Sequence, residues 1–203
     1  MGKQEQPIAV AITGASGSAY ALRLLECLLA AGEAVYLMIS QAGQIVLKME
    51  SDLELPAQPG EVERLLSERF DTAPGQLRVF GRQQWMAPVA SGSNPPRAMV
   101  VCPCTTGTLS AIACGASNDL LERAADVVLK ERKKLILVVR ETPLSEIHLE
   151  NMLKLSRMGA TIMPANPGFY HRPDNVQQLV DFMVARILDQ LELPHRLMVR
   201  WGE

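Results

Sequence analysis

The stretch Thr13-Gly14-Ala15-Ser16-Gly17-Ser18 lies between an apolar run, Ile8 to Ile12, and a leucine-rich segment, Ala19 to Ala31. An apolar run closed by glycine reads as a buried strand, and Leu22, Leu25, Leu28 and Leu29 at helical spacing read as one helix face. The turn between them therefore joins a strand to a helix. Gly14 and Gly17 let the backbone bend and come close to a ligand. Ser16 and Ser18 set hydroxyls beside the unpaired N–H groups and positive dipole of a helix start. Such a place suits an anion, most often a phosphate. The third glycine of a dinucleotide fingerprint is absent, so an ordinary serine-capped turn stays open as the alternative.

A second turn of this kind follows the apolar run Ala98 to Val101. Pro103-Cys104-Thr105-Thr106-Gly107-Thr108-Leu109-Ser110 offers Thr105, Thr106 and Thr108 as donors beside backbone N–H groups. Ser40 ends a short strand, Ala34 to Ile39, and caps a helix from Gln41 to Met49; a plain N-cap is its alternative. Arg140-Glu141 follows the strand Leu135 to Val139 directly. A charge pair at a strand C-terminus is placed for function, against the alternative of a surface ion pair worth little. The helix Asn118 to Arg132 carries Arg123 and Lys130, which could equally be a solvated face. Trp85 opens a long loop to Pro96 that suits a lid or an oligomer contact. A rigid loop, Pro164 to Pro173, can present Tyr170 to a pocket. Arg186 lies in a final helix, Asn175 to Leu191. Trp201 sits in a tail that packs on a partner subunit or its own pocket.

These residues need a frame to position them. The 203 residues suffice for a single domain, 1–203, with residues 1–6 as a disordered lead and 192–203 as a tail. A formal charge of -2 argues against a nucleic-acid partner. No apolar run reaches the roughly 20 residues that span a bilayer, and Met1 to Pro7 holds no signal-peptide core. Cys27, Cys102, Cys104 and Cys114 form no disulfide framework and read as reduced cytoplasmic thiols. With His148, His171 and His195 they make no metal-ligand pairs, so no metal is expected. Further strands at Leu77–Phe80 and Thr161–Met163 and helices at Glu61–Phe70 and Ser145–Met158 complete a β/α alternation. The expectation is a three-layer α/β/α, Rossmann-like sandwich with a mostly parallel six-stranded sheet. The two hydroxyl-rich turns would flank its switch point.

The ordered set of Thr13-Gly14-Ala15-Ser16-Gly17, Pro103 to Ser110, Arg123 to Arg132, Val139-Arg140-Glu141-Thr142-Pro143 and Pro167-Gly168-Phe169-Tyr170-His171-Arg172-Pro173 resembles the flavin prenyltransferases (UbiX-like). The resemblance runs from Ile8 to about Trp201. It implies metal-independent transfer of a dimethylallyl group from dimethylallyl monophosphate to N5 and C6 of reduced FMN. The prenylated FMN would then serve a UbiD-type decarboxylase, in ubiquinone biosynthesis or aromatic acid breakdown. It also implies a homododecamer with sites at subunit junctions. FMN would be held by Gly14, Ala15, Ser16, Ser40, Thr105, Thr106, Gly107, Thr108 and Arg140. The prenyl phosphate would meet Tyr170, Arg186, Lys130, Glu141 and a neighbouring subunit's Arg123, with Trp85 and Trp201 closing over the site. Glu141, Lys130, Ser16 and Tyr170 would be the catalytic set, and Glu141 would be the proton donor to the leaving phosphate. Many members carry serine where Thr105 stands. The nearest rival is the FMN-dependent cysteine-type decarboxylases, which rely on an early histidine; none precedes His148 here. A non-enzymatic FMN carrier and a direct decarboxylase also stay open.

Overall fold

A computed structural model describes residues 6–198 and Gly202. The chain alternates β1 (Ile8–Ile12), α1 (Ser18–Ala30), β2 (Val35–Ile39), α2 (Gln41–Glu50), α3 (Pro59–Arg69), β3 (Leu77–Phe80), a 3-10 turn (Pro88–Ala90), β4 (Ala98–Cys104), α4 (Thr106–Ala113), α5 (Leu120–Lys130), β5 (Lys134–Val139), α6 (Glu146–Arg157), β6 (Thr161–Ile162) and α7 (Val176–Gln190). The six strands form one sheet in the order β3-β2-β1-β4-β5-β6, and every pairing is parallel. The order reverses between β1 and β4, which sets the switch point there. β4 runs three residues further than its apolar stretch suggested, because Cys102, Pro103 and Cys104 stay fully within the core.

Side chains alternate across the sheet and build two cores. Ile8, Val10, Ile12, Val100 and Ile136 pack against Leu24, Leu25 and Leu28 of α1, Leu47 of α2, Leu66 of α3 and Val184 and Ile187 of α7. Ala9, Ala11, Met99, Val101 and Leu137 pack against Leu109 of α4, Ala124 and Val128 of α5 and Leu155 of α6. Burying each large aliphatic side chain contributes about 1.5–3 kcal/mol, so each helix is fixed by the stripe it turns inward. In α1 that stripe centres on Ala21, Leu24, Leu25 and Leu28, leaving the expected Leu22 only partly buried. α7 also lies against α1, which rotates the buried face. The consequence for the site is a partition: α1, α2, α3 and α7 cover one face, and α4, α5 and α6 cover the other.

Candidate active site

β1 delivers the first turn to the C-terminal edge of the sheet. Gly17 is the N-cap of α1 with φ 111°, a left-handed conformation that favours glycine. The first turn of α1 holds no acidic residue. The carboxylate comes instead from the far end of α2. Glu50 Oε2 accepts the N–H of Gly17 at 2.9 Å and that of Ser18 at 2.8 Å. Partial burial pushes the Glu50 carboxyl upward, but hydrogen bonds from the Ser16 side chain, the Ser18 and Gly17 amides and the Ser18 hydroxyl outweigh it. The net effect holds Glu50 below the ordinary carboxylate range. Within the Gly14–Ser18 turn, which the sequence suggests as a phosphate cradle, the Gly17 and Ser18 amides hold a carboxylate of the chain itself. Gly14 also has a packing role, since a Cβ there would collide with the Ala42 side chain. Its absence lets α2 lie across the turn and carries Glu50 into place. Ala15 is buried and Ser16 exposed at the same turn.

Thr13 ties this turn to the next. Its side chain is buried, Oγ1 donates to the Pro103 carbonyl at 2.7 Å, and it accepts the Thr105 N–H at 2.9 Å. Thr105 caps α4: its hydroxyl accepts the Thr108 N–H at 3.0 Å and lies 2.9 Å from Thr108 Oγ1. The Thr105 hydroxyl is thus spent inside the turn. The α4 amides of Thr106 and Gly107 lack an intrahelical acceptor and have no partner among the described residues. They form the open anion position of the switch point. Ser40 likewise caps α2, accepting the Gly43 N–H at 3.0 Å, and its own N–H donates to Ile12 O at 2.9 Å.

Arg140 leaves β5 with its N–H on Cys104 O at 3.2 Å. Its Nε is buried and has no hydrogen-bond partner among the described residues. An unsatisfied buried donor is costly, so a ligand acceptor there would be stabilised. Beside it opens a cavity of about 400 Å³ lined by Arg140, Glu141, Thr142, Leu144, Met152 and Asn166. That volume is in the range of small-molecule sites. The orphaned guanidinium nitrogen and part-apolar wall of this cavity suit a phosphate-bearing aromatic ligand such as FMN, and the Thr106 and Gly107 amides, which do not line it, offer a separate anion position at the neighbouring strand end. Glu141 is exposed, with Oε1 accepting the Thr142 N–H at 3.0 Å.

The remaining expected residues do not gather around this cavity within one chain. Arg123 and Lys130 belong to α5. Arg123 Nε donates to Ala90 O at 3.0 Å and Nη1 pairs with Asp126 at 2.7 Å. Lys130 pairs with Glu131 under Gly92. Lys130 precedes β5 and Arg140 follows it, so a strand of roughly 20 Å separates them. Arg186 lies on α7, across the sheet from α5. The Tyr170 ring meets Phe182 of α7 edge-on at 5.8 Å, and His171 stacks on Phe182 at 5.4 Å. Trp85 is half-exposed, its Nε1 donating to Gln83 Oε1 at 3.0 Å. Trp201 and residues 1–5 of the expected lead lie outside the described residues. Among those described, no three His, Cys, Asp or Glu side chains converge as a metal site. Burial pushes the Cys104 thiol up to about 12, and that of Cys102 upward too, so both are unreactive.

Sequence reasoning missed Glu50 and the staple made by Thr13. The missing acid in the first turn of α1 is the signal that could have prompted a search for the first. It also missed Asp189, which pairs with Arg186, and His195, which meets Asp189.

Comparison with known proteins supplies the relatives. The Flavoprotein family model matches residues 2–188. "Flavin prenyltransferase UbiX" of Pseudomonas aeruginosa is 59% identical over 196 residues, covering 97% of this chain and 94% of the relative. A crystal structure of AnUbiX (PadA1) in complex with FMN and dimethylallyl pyrophosphate superposes with a TM-score of 0.86 at 39% identity, covering 98% of each chain. A dodecameric FMN-dependent UbiX-like decarboxylase from Escherichia coli O157:H7 gives 0.84 at 38% identity, covering 97% of this chain and 100% of that one.

Proposed function

On the footing that this chain belongs to the Flavoprotein family and, within it, to the flavin prenyltransferases, we propose that it joins a dimethylallyl group from a dimethylallyl phosphate to N5 and C6 of reduced FMN. The observation that carries the reading is the buried, unpartnered Arg140 Nε beside the Glu141 cavity. The Arg140 backbone pairs with Cys104 at the end of β4, the strand that leads into the open amides of Thr106 and Gly107. FMN is the acceptor substrate held there. The related structure with FMN and dimethylallyl pyrophosphate supports the pair of ligands.

Breaking the allylic C–O bond leaves its electron pair on the phosphate and a cation on the prenyl fragment. Side-chain cations must stabilise the first, and Lys130, Arg186 and Arg123 are those available, with Tyr170 as a hydroxyl donor. Because α5 and α7 cover opposite faces of the sheet, one chain cannot bring all of these together. The site is completed by a neighbouring copy, which the dodecameric relative supports. Bonding at N5 displaces the N5 proton, which balances the one taken up by the departing phosphate; closing the fourth ring then adds a proton to the alkene and removes one from C6. Glu141 can donate to the phosphate. The Ser16–Glu50 pair can accept the C6 proton, since Glu50 stays ionised and is hydrogen-bonded to Ser16. Trp85 and Trp201 would exclude water and shelter the cation on a ring face. The product would pass to a UbiD-type decarboxylase, and the free thiols suit a cytoplasmic setting.

The test is incubation of the purified protein with reduced FMN and dimethylallyl monophosphate, with the pyrophosphate in parallel and divalent ions chelated. Mass spectrometry of the released flavin should show the added five-carbon unit. An unmodified flavin, with both ligands shown to be bound, overturns the reading.

A further inference from the structure

We propose that Asp189 and His195 are positioning residues for Arg186, one carboxylate fixing both the guanidinium and the start of the C-terminal tail. The proposal rests on the reading above, in which Arg186 receives the prenyl phosphate. α7 ends at Gln190, and the chain reverses at Glu192, which takes φ 61°. The turn is closed by Glu192 N–H on Asp189 O at 3.1 Å and Leu193 N–H on Leu188 O at 3.0 Å. It folds His195 back onto α7, where its side chain is only 5% exposed. Leu193 and Leu197 pack on the same core as α7.

Asp189 stands at the centre. Its Oδ2 accepts from Arg186 Nη1 at 2.8 Å, and its Oδ1 lies 3.1 Å from His195 Nε2. The Leu197 N–H points to His195 Nδ1 at 3.5 Å. With Nδ1 as acceptor, the ring proton sits on Nε2 and faces the carboxylate. A guanidinium carries five N–H donors in a rigid fork. Asp189 holds one branch, and the half-exposed remainder stays aimed outward for an anion. Without Asp189 the fork could rotate about its flexible stem. Without His195 the carboxylate would lose one of the contacts that orient it. The same bonds hold Leu197, so the entry to the tail and the orientation of Arg186 are coupled. Coupling of two equilibria is reciprocal: an anion on Arg186 steadies the tail, and a docked tail improves anion capture.

The experiment compares H195L, H195Q and D189N with R186A. Three readouts serve: KM for dimethylallyl monophosphate, FMN affinity by fluorescence, and trypsin cleavage after Arg196 by intact mass. Loss of one aligned charge-assisted donor should raise KM about tenfold in H195L and D189N, with FMN affinity unchanged. H195Q, whose amide can still donate to Asp189, should stay within about twofold of the native KM. Cleavage after Arg196 should speed up in H195L. Dimethylallyl monophosphate should slow it in the native protein and not in R186A. A native KM in both H195L and D189N, beside a raised KM in R186A, overturns the proposal and leaves the donor site intact. A native KM in R186A removes Arg186 from the site, and both readings fall. If H195L loses FMN binding through misfolding, D189N and H195Q decide: a native KM in D189N, or a tenfold rise in H195Q, overturns the proposal.

Discussion

Replacing Glu50 by glutamine tests whether the chain's own carboxylate organises the first turn. Oε2 accepts two amides at 2.9 and 2.8 Å at the start of α1. Hydrogen bonds to a charged group are worth about 1.5–3 kcal/mol, and an anion at a helix start about 0.3–1 kcal/mol. Glu50 lies mostly in water, so screening reduces the net to about 1 kcal/mol. Glutamine keeps an acceptor oxygen and removes the charge. In a chain of this size that deficit lowers Tm by about 2–4 °C. The folded carboxyl is held below its ordinary value of 4.5. Its contribution is therefore complete above about pH 4.5 and fades as pH falls through the lower folded value. The native protein should melt above E50Q at neutral pH, and the gap should narrow as the pH falls below 4.5 and close once it passes the lowered folded value. Flavin-free calorimetry at both pH values reads this. Equal melting at neutral pH, or a gap that persists in acid, would refute the role given to the charge. If the Ser16–Glu50 pair also carries the C6 proton, E50Q will slow turnover far more than it weakens FMN binding.

Because α5 and α7 lie on opposite faces, K130A and R186A should each turn over only slowly at limiting dimethylallyl monophosphate, yet co-expressed mixed oligomers should regain native turnover in about a quarter of sites; no recovery would mean that one copy supplies both groups. E141Q should retain FMN binding and slow prenyl transfer by about 10²–10⁴-fold, measured in single turnovers. T13V leaves the part-buried Thr105 N–H without its acceptor, at a cost of about 1 kcal/mol. It should melt lower and bind FMN more weakly than T13S, by calorimetry and fluorescence titration. G14A should destabilise by about 1–3 kcal/mol and release Glu50 from the turn, because the new methyl meets Ala42 in a packed contact.

The elements themselves were legible because each carries its own period. Leu77–Phe80 matches its expected bounds, and the other strands and helices fall within a few residues of theirs. The switch point was legible because two hydroxyl-rich turns follow apolar runs, and a parallel β/α alternation admits few arrangements. What stayed hidden depends on which groups meet across the fold. Gly14 looks the same in sequence whether it admits a phosphate or the methyl of Ala42. Thr105 looks like a ligand donor until its hydroxyl is seen capping α4. Glu50 reaches α1 from 32 residues away, and no local pattern marks it. Lys130 and Arg186 both read as cations on helices, but the face of the sheet each helix covers depends on strand order, which spacing does not encode. That last point has mechanistic weight. On the proposed reading, in which these cations ionise an allylic phosphate, a lone copy holds them on opposite faces, so dilution below the assembly constant should abolish turnover while FMN binding persists.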